Sequence, residues 1–445
     1  METQLFPIES GRSQEWYRFQ HHELGKLHST IPFRDLASQY PTSSHRGRPA
    51  FFSIEGGIGL QILKMRYGVS DAKLIELLNE NAMMQLFCGI RLRPGQYIRD
   101  KDIVGRWRKF LGLRLSPEAL QKQLANNWAP KMEQTNVGLS DATCYESYVR
   151  YPTDVKLLWE CCEWLWKQIR QISKSVGQAL PRVKFKEQYQ KYLNYQRRRK
   201  KTHKLERRRR KSLLYLLKKL RRIMTEVIGC WTRSDRWDKI RLGPAVFSRL
   251  GWIKKIYQQQ QLHYDRPSAK VPNRIVSLAK PYLRPIVRGK ETRRVEFGMK
   301  VNMLQVDGIN FIEYGDFEAF HEGIRLKKTI WAHRRYFSKV THLGADAIYA
   351  TNANRRYCSA QGITTGFRRK GRAGKQEDQA KIMRQTLQRA RATIMEGSFG
   401  NEKNHYGLAK VKAKTYATEK AWIFFGILTA NAHKMMKKWA KPPPG

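Results

Sequence analysis

Two strand-like runs separated by a turn dipeptide constrain the fold of this chain more than any other feature. The runs VEFGMKVNMLQV (295–306) and INFIEYGDF (309–317) are mostly apolar, and Asp307-Gly308 lies between them. An Asp-Gly pair between two such runs is a strong signal for a β-hairpin. The sequence therefore predicts an antiparallel pair of strands in the second half of the chain.

Elements of both kinds surround this hairpin. The patterns predict a short strand in VGLSDATCYESYVRY (137–151), a helix from about Gly323 to Phe337, a strand in THLGADAIYA (341–350), a short strand near 362–366, and a long helix from about Gln376 to His405. This order of strands and helices predicts a mixed α/β fold.

The N-terminal part has a helical pattern. Apolar residues from Phe51 lead to a break at Tyr67-Gly68, and Ser70-Asp71 opens a second apolar-periodic run. Such a pair of helices can read DNA, or it can be an ordinary helical hairpin that packs or dimerises.

The most basic part of the chain lies between the first strand and the hairpin. Pro152-Thr153-Asp154 is an N-capping sequence that predicts the start of a long helix. The stretch 183–224 then combines apolar residues at spacings of three and four with the runs RRRKK (197–201) and RRRRK (207–211), which predicts a helix with one cationic face. A charge run is often only a solvated helix face, but like charges this dense destabilise one another unless an anion lies nearby.

The net charge narrows the class of partner. The chain has 86 Lys and Arg residues against 37 Asp and Glu residues, which gives a formal net charge of +49. A polyanion such as nucleic acid relieves the resulting self-repulsion. A membrane is not expected, because no apolar run reaches about 18 residues and no secretory signal opens the chain. The six cysteines form no CxxC pair, so we expect a reducing cytoplasm and no zinc site.

Three carboxylates are candidates for metal-dependent phosphodiester chemistry. Asp141 is predicted to end one strand, Asp346 to end another, and Glu396 to lie on the helix that follows. Mg²⁺ takes oxygen ligands from carboxylates on separate elements, and two such ions can activate an attacking oxygen and stabilise a leaving one. Asp141 could instead be a turn residue or a helix cap, and Glu396 could be an ordinary exposed helix residue. Asp346 is flanked by apolar and small residues, where an unpaired carboxylate would be costly.

Other acids have local explanations. Asp307 is accounted for by the hairpin turn, and Asp316, Glu318 and Glu322 are predicted to cap or solvate the next helix. Lys403 follows Glu396 by seven residues, about two helical turns, so it is predicted to place a cation beside the same site.

Five segments in order resemble the DDE transposases of bacterial insertion sequences, in the insertion-sequence-five-like group with an InsH-like N-terminal domain. They are GRPAFFSIEGGIGLQILKMRYGVSDAKLIELLNENAMMQLFCGI, SDATCYESYVRYPTD, RIVSLAKPYLRPIVRGKETRRVEFGMKV, GADAIYATNANRRYCSAQGI and EGSFGNEKNHYGLAKVKAKT. The resemblance implies a ribonuclease-H-like catalytic fold whose Asp, Asp, Glu triad maps onto Asp141, Asp346 and Glu396. It also implies two Mg²⁺ ions, with Mn²⁺ as a substitute, and a bacterial, nucleoid-associated protein.

The resemblance and the patterns together predict three parts. Residues 1–130 form a helical N-terminal domain for DNA binding or dimerisation, residues 131–154 and 290–440 form the split ribonuclease-H-like catalytic domain, and residues 155–289 form a helical basic insertion. The implied partner is double-stranded DNA, both the element ends and the target, bound by a homodimer or a higher synaptic assembly.

The chain departs from the family around its last acid. Relatives carry a Tyr, Arg, Glu, Lys signature, and here Ala392 and Gln388 stand at the expected Arg and Tyr positions. Arg389 or Arg391 could supply the cation from a shifted position. Tyr349 matches a tyrosine common in relatives, although a packing role explains it equally well.

The expected DNA contacts are basic residues together with Tyr349. They are Lys403, Arg389, Arg391, Tyr349, Arg197, Arg198, Arg199, Arg207, Arg208, Arg209 and Arg210. The predicted activity is cleavage and strand transfer at terminal inverted repeats. The alternatives are a catalytically inactive DNA-binding relative, a ribonuclease-H-like nuclease that does not join strands, and an RNA-binding scaffold.

Overall fold

The structure is a computed structural model that describes residues 8–41, 51–234, 241–287, 295–371 and 377–440. Its chain divides into two compact units. The sheet unit comprises Met1–Tyr148 and Gly298–Gly445, and the inserted unit comprises Val149–Phe297. The N-terminal helices therefore belong to the same compact unit as the predicted hairpin. The predicted domain boundary between residues 289 and 290 lies outside the described residues.

The described residues form helices and short strands in alternation. The helices are α1 (Ile8–His21), α2 (Glu23–Ser29), α3 (Phe33–Ala37), α4 (Ile54–Tyr67), α5 (Asp71–Glu80), α6 (Ala82–Phe87), α7 (Ile103–Leu113), α8 (Pro117–Trp128), α9 (Asp154–Val176), α10 (Phe185–Arg197), α11 (His203–Thr232), α12 (Pro244–Asp265), α13 (Leu326–Phe337), α14 (Asn352–Ala360), α15 (Glu377–Ala390), α16 (Glu396–His405) and α17 (Tyr416–Trp439). The strands are β1 (Val137–Glu146), β2 (Ile286–Val287), β3 (Val295–Glu296), β4 (Gly298–Val306), β5 (Ile309–Asp316), β6 (His342–Ala345) and β7 (Thr364–Thr365). The mixed α/β prediction is confirmed.

The sheet unit contains a five-stranded mixed sheet in the order β5-β4-β1-β6-β7. The pairs β1/β4 and β4/β5 are antiparallel, whereas β1/β6 and β6/β7 are parallel. Parallel neighbours need a crossover connection, and α13 and α14 precede β6 and β7 in the chain. The predicted hairpin is confirmed: β4 and β5 are joined by Asp307 and Gly308, whose φ angles of 49° and 81° suit a type I′ turn.

The predicted N-terminal helix pair is confirmed as α4 and α5. The Ser53 side chain caps α4, Gly68 ends it in the left-handed conformation, and the Ser70 side chain caps α5. Helix α17, which closes the chain, is buried along most of its length and packs against α4 and α7.

The inserted unit is mainly helical. Thr153 caps α9 as predicted. The apolar stripe of α11 is buried as predicted, and its members include Leu213, Leu216, Leu217, Leu220, Ile223 and Met224. The expectation of one helix across 183–224 is wrong, because α10 ends at Arg197 and α11 begins at His203. The RRRKK run therefore lies largely in a break between two helices. No helix among the described residues is both long and apolar enough to cross a membrane.

Candidate active site

Asp141 and Asp346 occupy neighbouring positions on two parallel strands. The β1/β6 register pairs Ser140 with Ala345, and each aspartate is the next residue of its chain segment. Parallel strands lie roughly 5 Å apart, so this register brings two distant parts of the sequence together. Asp346 directly follows the end of β6, as predicted. The prediction that Asp141 ends its strand is wrong, because β1 continues to Glu146 paired with β4.

Glu396 reaches the same place from a helical run over residues 377–405. This run consists of α15, a single π-helical turn at Arg391–Met395, and α16, which begins at Glu396. The long helix predicted from about Gln376 is confirmed in its described part, whereas Gln376 itself lies outside the described residues. Glu396 thus comes from a third element, separate from β1 and β6.

The guanidinium of Arg391 lies among the three acids. Its Nη1 donates to Asp141 Oδ2 at 2.5 Å and lies 3.6 Å from Glu396 Oε1, while its Nη2 lies 3.9 Å from Asp346 Oδ1. Because one planar group reaches all three carboxylates, Asp141, Asp346 and Glu396 surround a common point. The structure therefore brings together the three acids that the sequence singled out.

The π-helical turn explains how Arg391 reaches this point. Arg391 precedes Glu396 by five residues, which in a regular α-helix would separate the two side chains by about 140° around the axis. A π-turn winds more residues into each turn and so narrows that angle. A cation is therefore supplied from a shifted position, while Ala392, at the position where relatives carry arginine, is exposed.

The three acids differ in exposure. The Asp141 side chain is 14% exposed, whereas those of Asp346 and Glu396 are 48% and 59% exposed. Burial raises the pKa of Asp141 above its usual value, although hydrogen bonding from the Ala142 amide and the charge of Arg391 oppose the shift. Asp141 thus forms the floor of an acidic site whose other two members face solvent.

Glu322 adds negative charge near this site, and the sequence did not reveal it. Its charge contributes to the raised pKa of Asp141. Its carboxylate accepts a salt bridge from Lys300 at 2.6 Å, and only 14% of its side chain is exposed. Glu322 does begin a short 3-10 turn, but the expectation that it is solvated is wrong, because its side chain is largely buried.

Alternate residues of β1 present one face to the helical run over residues 377–405. Asp141 contacts Arg391, Thr143 accepts a hydrogen bond from Lys403 Nζ at 3.0 Å, and the Tyr145 hydroxyl donates to the Glu402 carboxylate. Residues two apart on a strand share a face, which explains this order. Lys403, the cation predicted beside the site, therefore contacts β1 at Thr143, two residues after Asp141.

Glu402 is a functional candidate that sequence reasoning missed. It is 1% exposed, and Asn310 of β5 donates to it at 2.6 Å while also donating to Ser398 at 2.7 Å. With Tyr145 of β1 these contacts hold α16, and hence Glu396 and Lys403, against the sheet. Only the spacing of Glu402 from Glu396 could have signalled this, and that spacing is common by chance.

Gln388 is a second positioning residue that the sequence did not identify. Its Nε2 donates to the carbonyl of Ala345 at 3.0 Å and to that of Gly366 at 2.8 Å. These bonds tie α15 to the end of β6, immediately before Asp346. The residue at the position of the family tyrosine therefore helps to place the second acid.

Tyr349 is buried rather than available at the surface. It has no exposed area, and its hydroxyl donates to Asn302 Oδ1 at 2.5 Å. In this conformation it has no surface for a DNA contact, so the geometry favours the packing role that the sequence left open.

The predicted basic contacts fall into two classes. Exposed residues are Arg389 of α15, Arg197, Arg198 and Arg199 at the end of α10, and Arg207 and Arg208 of α11. In contrast, Arg209 is buried, and Arg210 is largely buried beside Asp154 and His263. The basic run of α11 thus presents only part of its charge to solvent.

The three carboxylates suit a hard divalent cation, although they are too far apart in this structure to coordinate one ion together. Three carboxylates supply the oxygen ligands that Mg²⁺ prefers. Across residues 8–41, 51–234, 241–287, 295–371 and 377–440, no group of three His, Cys, Asp or Glu side chains is close enough to hold an ion as it stands. In the structure Arg391 fills the point that the acids surround.

Two parts of the chain match known transposase families. Residues 12–116 match a family described as "Transposase domain (DUF772)", and residues 343–431 match one described as "Transposase DDE domain". The second match contains Asp346, Glu396 and Lys403, whereas Asp141 lies outside both matches. No curated protein matches the chain, and no solved structure does.

Proposed function

Because the chain is a DDE transposase of the insertion-sequence type, we propose that Asp141, Asp346 and Glu396 are its catalytic triad and that it cuts and joins DNA at the ends of its own element. The observation that carries this proposal is the meeting of the three acids around one guanidinium. Three acids from β1, β6 and α16, far apart in sequence, have no structural reason to converge, because their mutual repulsion is costly.

The catalytic domain is proposed to be ribonuclease-H-like. The strand order β5-β4-β1-β6-β7, with three antiparallel strands followed by two parallel ones, supports this assignment. The first acid lies on the central strand β1, and the second directly follows its parallel neighbour β6. The inserted unit enters the chain between the first and second strands of the sheet, and we assign DNA-backbone binding to it.

The triad is proposed to hold two Mg²⁺ ions, or Mn²⁺ in their place. When bound, such a pair activates the attacking oxygen and stabilises the leaving oxygen of a phosphodiester. The protein's part is positioning: Glu402 and Gln388 fix the elements that carry Glu396 and Asp346. Lys403 is held beside Asp141 through Thr143, where it can neutralise a phosphate oxygen of the bound strand.

DNA recognition is proposed to divide between the N-terminal helices and the exposed arginines. The exposed side chains of Arg197, Arg198, Arg199, Arg207, Arg208 and Arg389 suit phosphate contacts, which position DNA without reading its sequence. Reading of the terminal inverted repeats is assigned to the N-terminal helices. Two ends must be handled together, so a homodimer or a higher assembly on DNA is proposed.

A strand-transfer assay tests the function. Purified protein is incubated with Mg²⁺, a pre-cut DNA end of the element and a target plasmid, and uncut ends are assayed in parallel. We expect wild-type protein to cut and to join, and Asp346→Asn to do neither. Asp378→Asn, which changes an exposed aspartate of α15, is the matched control and should retain both activities.

Each other outcome selects a different function. Equal cutting by wild-type protein and Asp346→Asn contradicts the triad. Cutting without joining identifies a nuclease, and DNA binding without either step identifies an inactive relative.

A further inference from the structure

We infer that Arg391 is an internal counter-cation: it neutralises the acids while no divalent cation is bound, and it sets the affinity of the site for divalent cations by competing for the same carboxylates. This inference rests on the proposed function, since it assumes that the three acids bind metal. It assigns Arg391 a role on the protein itself, in addition to any contact with DNA.

The charges at the site motivate the inference first. Asp141, Asp346 and Glu396 carry three negative charges around a point where Arg391 contributes one positive charge. Like charges a few ångströms apart repel one another strongly in a partly buried site. The guanidinium reduces this repulsion and allows the acids to remain together without metal.

Arg391 forms a hydrogen bond with only one of the three acids. Only the contact to Asp141, at 2.5 Å, is a hydrogen bond, while the separations of 3.6 and 3.9 Å to Glu396 and Asp346 are too long to be hydrogen bonds. The Nε of Arg391 is buried and has no hydrogen-bond partner among the described residues. A buried donor without an acceptor costs free energy, so this position of Arg391 carries a desolvation cost.

Occupation by Arg391 and by a divalent cation is mutually exclusive. Mg²⁺ requires ligand oxygens at about 2.0–2.1 Å, whereas the three acids now surround the planar guanidinium of Arg391. Binding of an ion therefore requires the guanidinium to leave the point between the acids. The free energy of that displacement subtracts from the affinity for the ion.

The surrounding backbone is suited to such a displacement. Arg391 begins the π-helical turn, and π-turns are uncommon and recur at functional sites. The next three residues, Ala392, Thr393 and Ile394, are exposed, so this turn is not held by packing on its outer face. Movement of this turn would therefore break no packing contacts on its outer face.

Mn²⁺ binding to the full chain without DNA tests the inference. Electron paramagnetic resonance measures free Mn²⁺ in titrations of wild-type protein, Arg391→Gln, Arg391→Lys and the matched control Arg389→Gln. Arg389→Gln removes the same charge from the same helical run, but Arg389 is exposed and, among the described residues, forms no ion pair with the three acids. Asp141→Asn shows which part of the binding depends on the acids.

We expect Arg391→Gln to bind Mn²⁺ roughly tenfold more tightly than wild-type protein, since a competing charge within 4 Å is removed. Arg389→Gln should match wild-type protein, and Arg391→Lys should lie between the two because it keeps the charge without the planar fork. In thermal melts without metal, Arg391→Gln should unfold at a lower temperature than wild-type protein. Addition of Mn²⁺ should raise the melting temperature of Arg391→Gln by more than it raises that of wild-type protein.

The remaining results separate the two proposals. Acid-dependent Mn²⁺ binding of equal affinity in wild-type protein and Arg391→Gln overturns the counter-cation role alone. Absence of acid-dependent binding in every variant overturns the proposed metal site and, with it, this inference. If Arg391→Gln is unfolded without metal by circular dichroism, refolding on addition of Mn²⁺ supports the role, and failure to refold contradicts it.

Discussion

Asp141 of the sheet unit and Asp154 of the inserted unit are buried to a similar degree but stand in opposite surroundings. Their side chains are 14% and 12% exposed. Asp141 shares one guanidinium with two other acids. Among the described residues, Asp154 is the one carboxylate that contacts Arg274 at 2.5 Å, His263 at 3.3 Å and Arg210 at 3.6 Å. One cluster has too few cations for its acids, and the other has too few acids for its cations.

The pKa values of the two aspartates differ accordingly. Burial disfavours the charged form of both carboxyl groups. At Asp154 the charge of Arg274, a hydrogen bond from Gln260 and the charge of Arg210 outweigh burial, so the pKa of Asp154 lies below its usual value. At Asp141 burial prevails and the pKa is raised. A paired carboxylate such as Asp154 stabilises the fold, whereas an under-neutralised cluster stores repulsion that added cations can relieve.

The largest effect expected from this contrast is on catalysis at the acid-rich cluster. Glu396→Gln removes one proposed metal ligand without changing side-chain size, and cleavage of element ends should fall at least about 10³-fold, because metal ions contribute several kcal/mol of charge stabilisation. Gel assays of Mg²⁺-dependent nicking measure this.

The matched control for that variant is Glu377→Gln on the same helical run. Glu377 pairs with Arg369 and Arg384 rather than with the acids, so its replacement should leave nicking within a few-fold of wild type. Comparable losses in both variants would mean that Glu396 has no special place in the chemistry.

Much of the fold follows from local patterns, while the centre of the site depends on tertiary contacts. The β4/β5 hairpin was predictable because Asp307 and Gly308 alone specify its turn. The prediction that Asp141 ends a strand is wrong because β1 pairs with β6 only as far as Ser140, whereas β1 continues to pair with β4 as far as Glu146. A single sequence does not record that difference.

The cation of the site was predictable in type but not in position. Arg391 was one of two candidates, and only the π-turn, which no residue pattern signals, turns it toward Asp141. Glu402 and Gln388 were missed because their partners, Asn310 and the Ala345 carbonyl, lie far away in the sequence. The break between α10 and α11 was missed because the basic residues there fit a helical period.

A stability comparison sharpens the contrast between the two aspartates. Asp154→Asn leaves Arg210 and Arg274 without their carboxylate, and loss of one partner from a buried charge cluster costs about 3–5 kcal/mol. Asp141→Asn relieves repulsion and should leave the free energy of unfolding unchanged or slightly higher. Urea denaturation of both variants measures the difference, and equal destabilisation would show that the two surroundings are energetically alike.

A smaller effect should come from the exposed arginines of α11, which Asp154 does not neutralise. Arg207→Ala with Arg208→Ala removes two exposed cations, so DNA affinity should fall on the order of tenfold and the slope of log K against log salt should decrease by about 2. Fluorescence anisotropy at several salt concentrations measures both quantities.

The matched control for the arginine pair is Lys131→Ala with Lys339→Ala. These exposed lysines precede the starts of β1 and β6, whereas Asp141 lies within β1 and Asp346 follows the end of β6, so their loss should leave the salt slope nearly unchanged. If both pairs lower the slope equally, DNA binding follows total charge rather than the inserted unit.

The smallest effect should appear in the pH dependence of the cation-rich cluster. Burial and the charges of Arg274 and Arg210 lower the pKa of His263 below its usual 6.5, although Asp154 opposes them. Below that pH the unfolded chain takes up a proton that the folded chain resists, so the free energy of unfolding should decrease as pH falls through 6.5 toward the lowered value. The contribution of Asp154 should persist through this window, because its own pKa lies below that of an ordinary aspartate. Urea midpoints at pH 7.5 and pH 5.5 measure the decrease, taking about 1 pH unit on each side of the usual histidine value. His263→Gln should flatten it, and an undiminished decrease in that variant would assign the effect to another group.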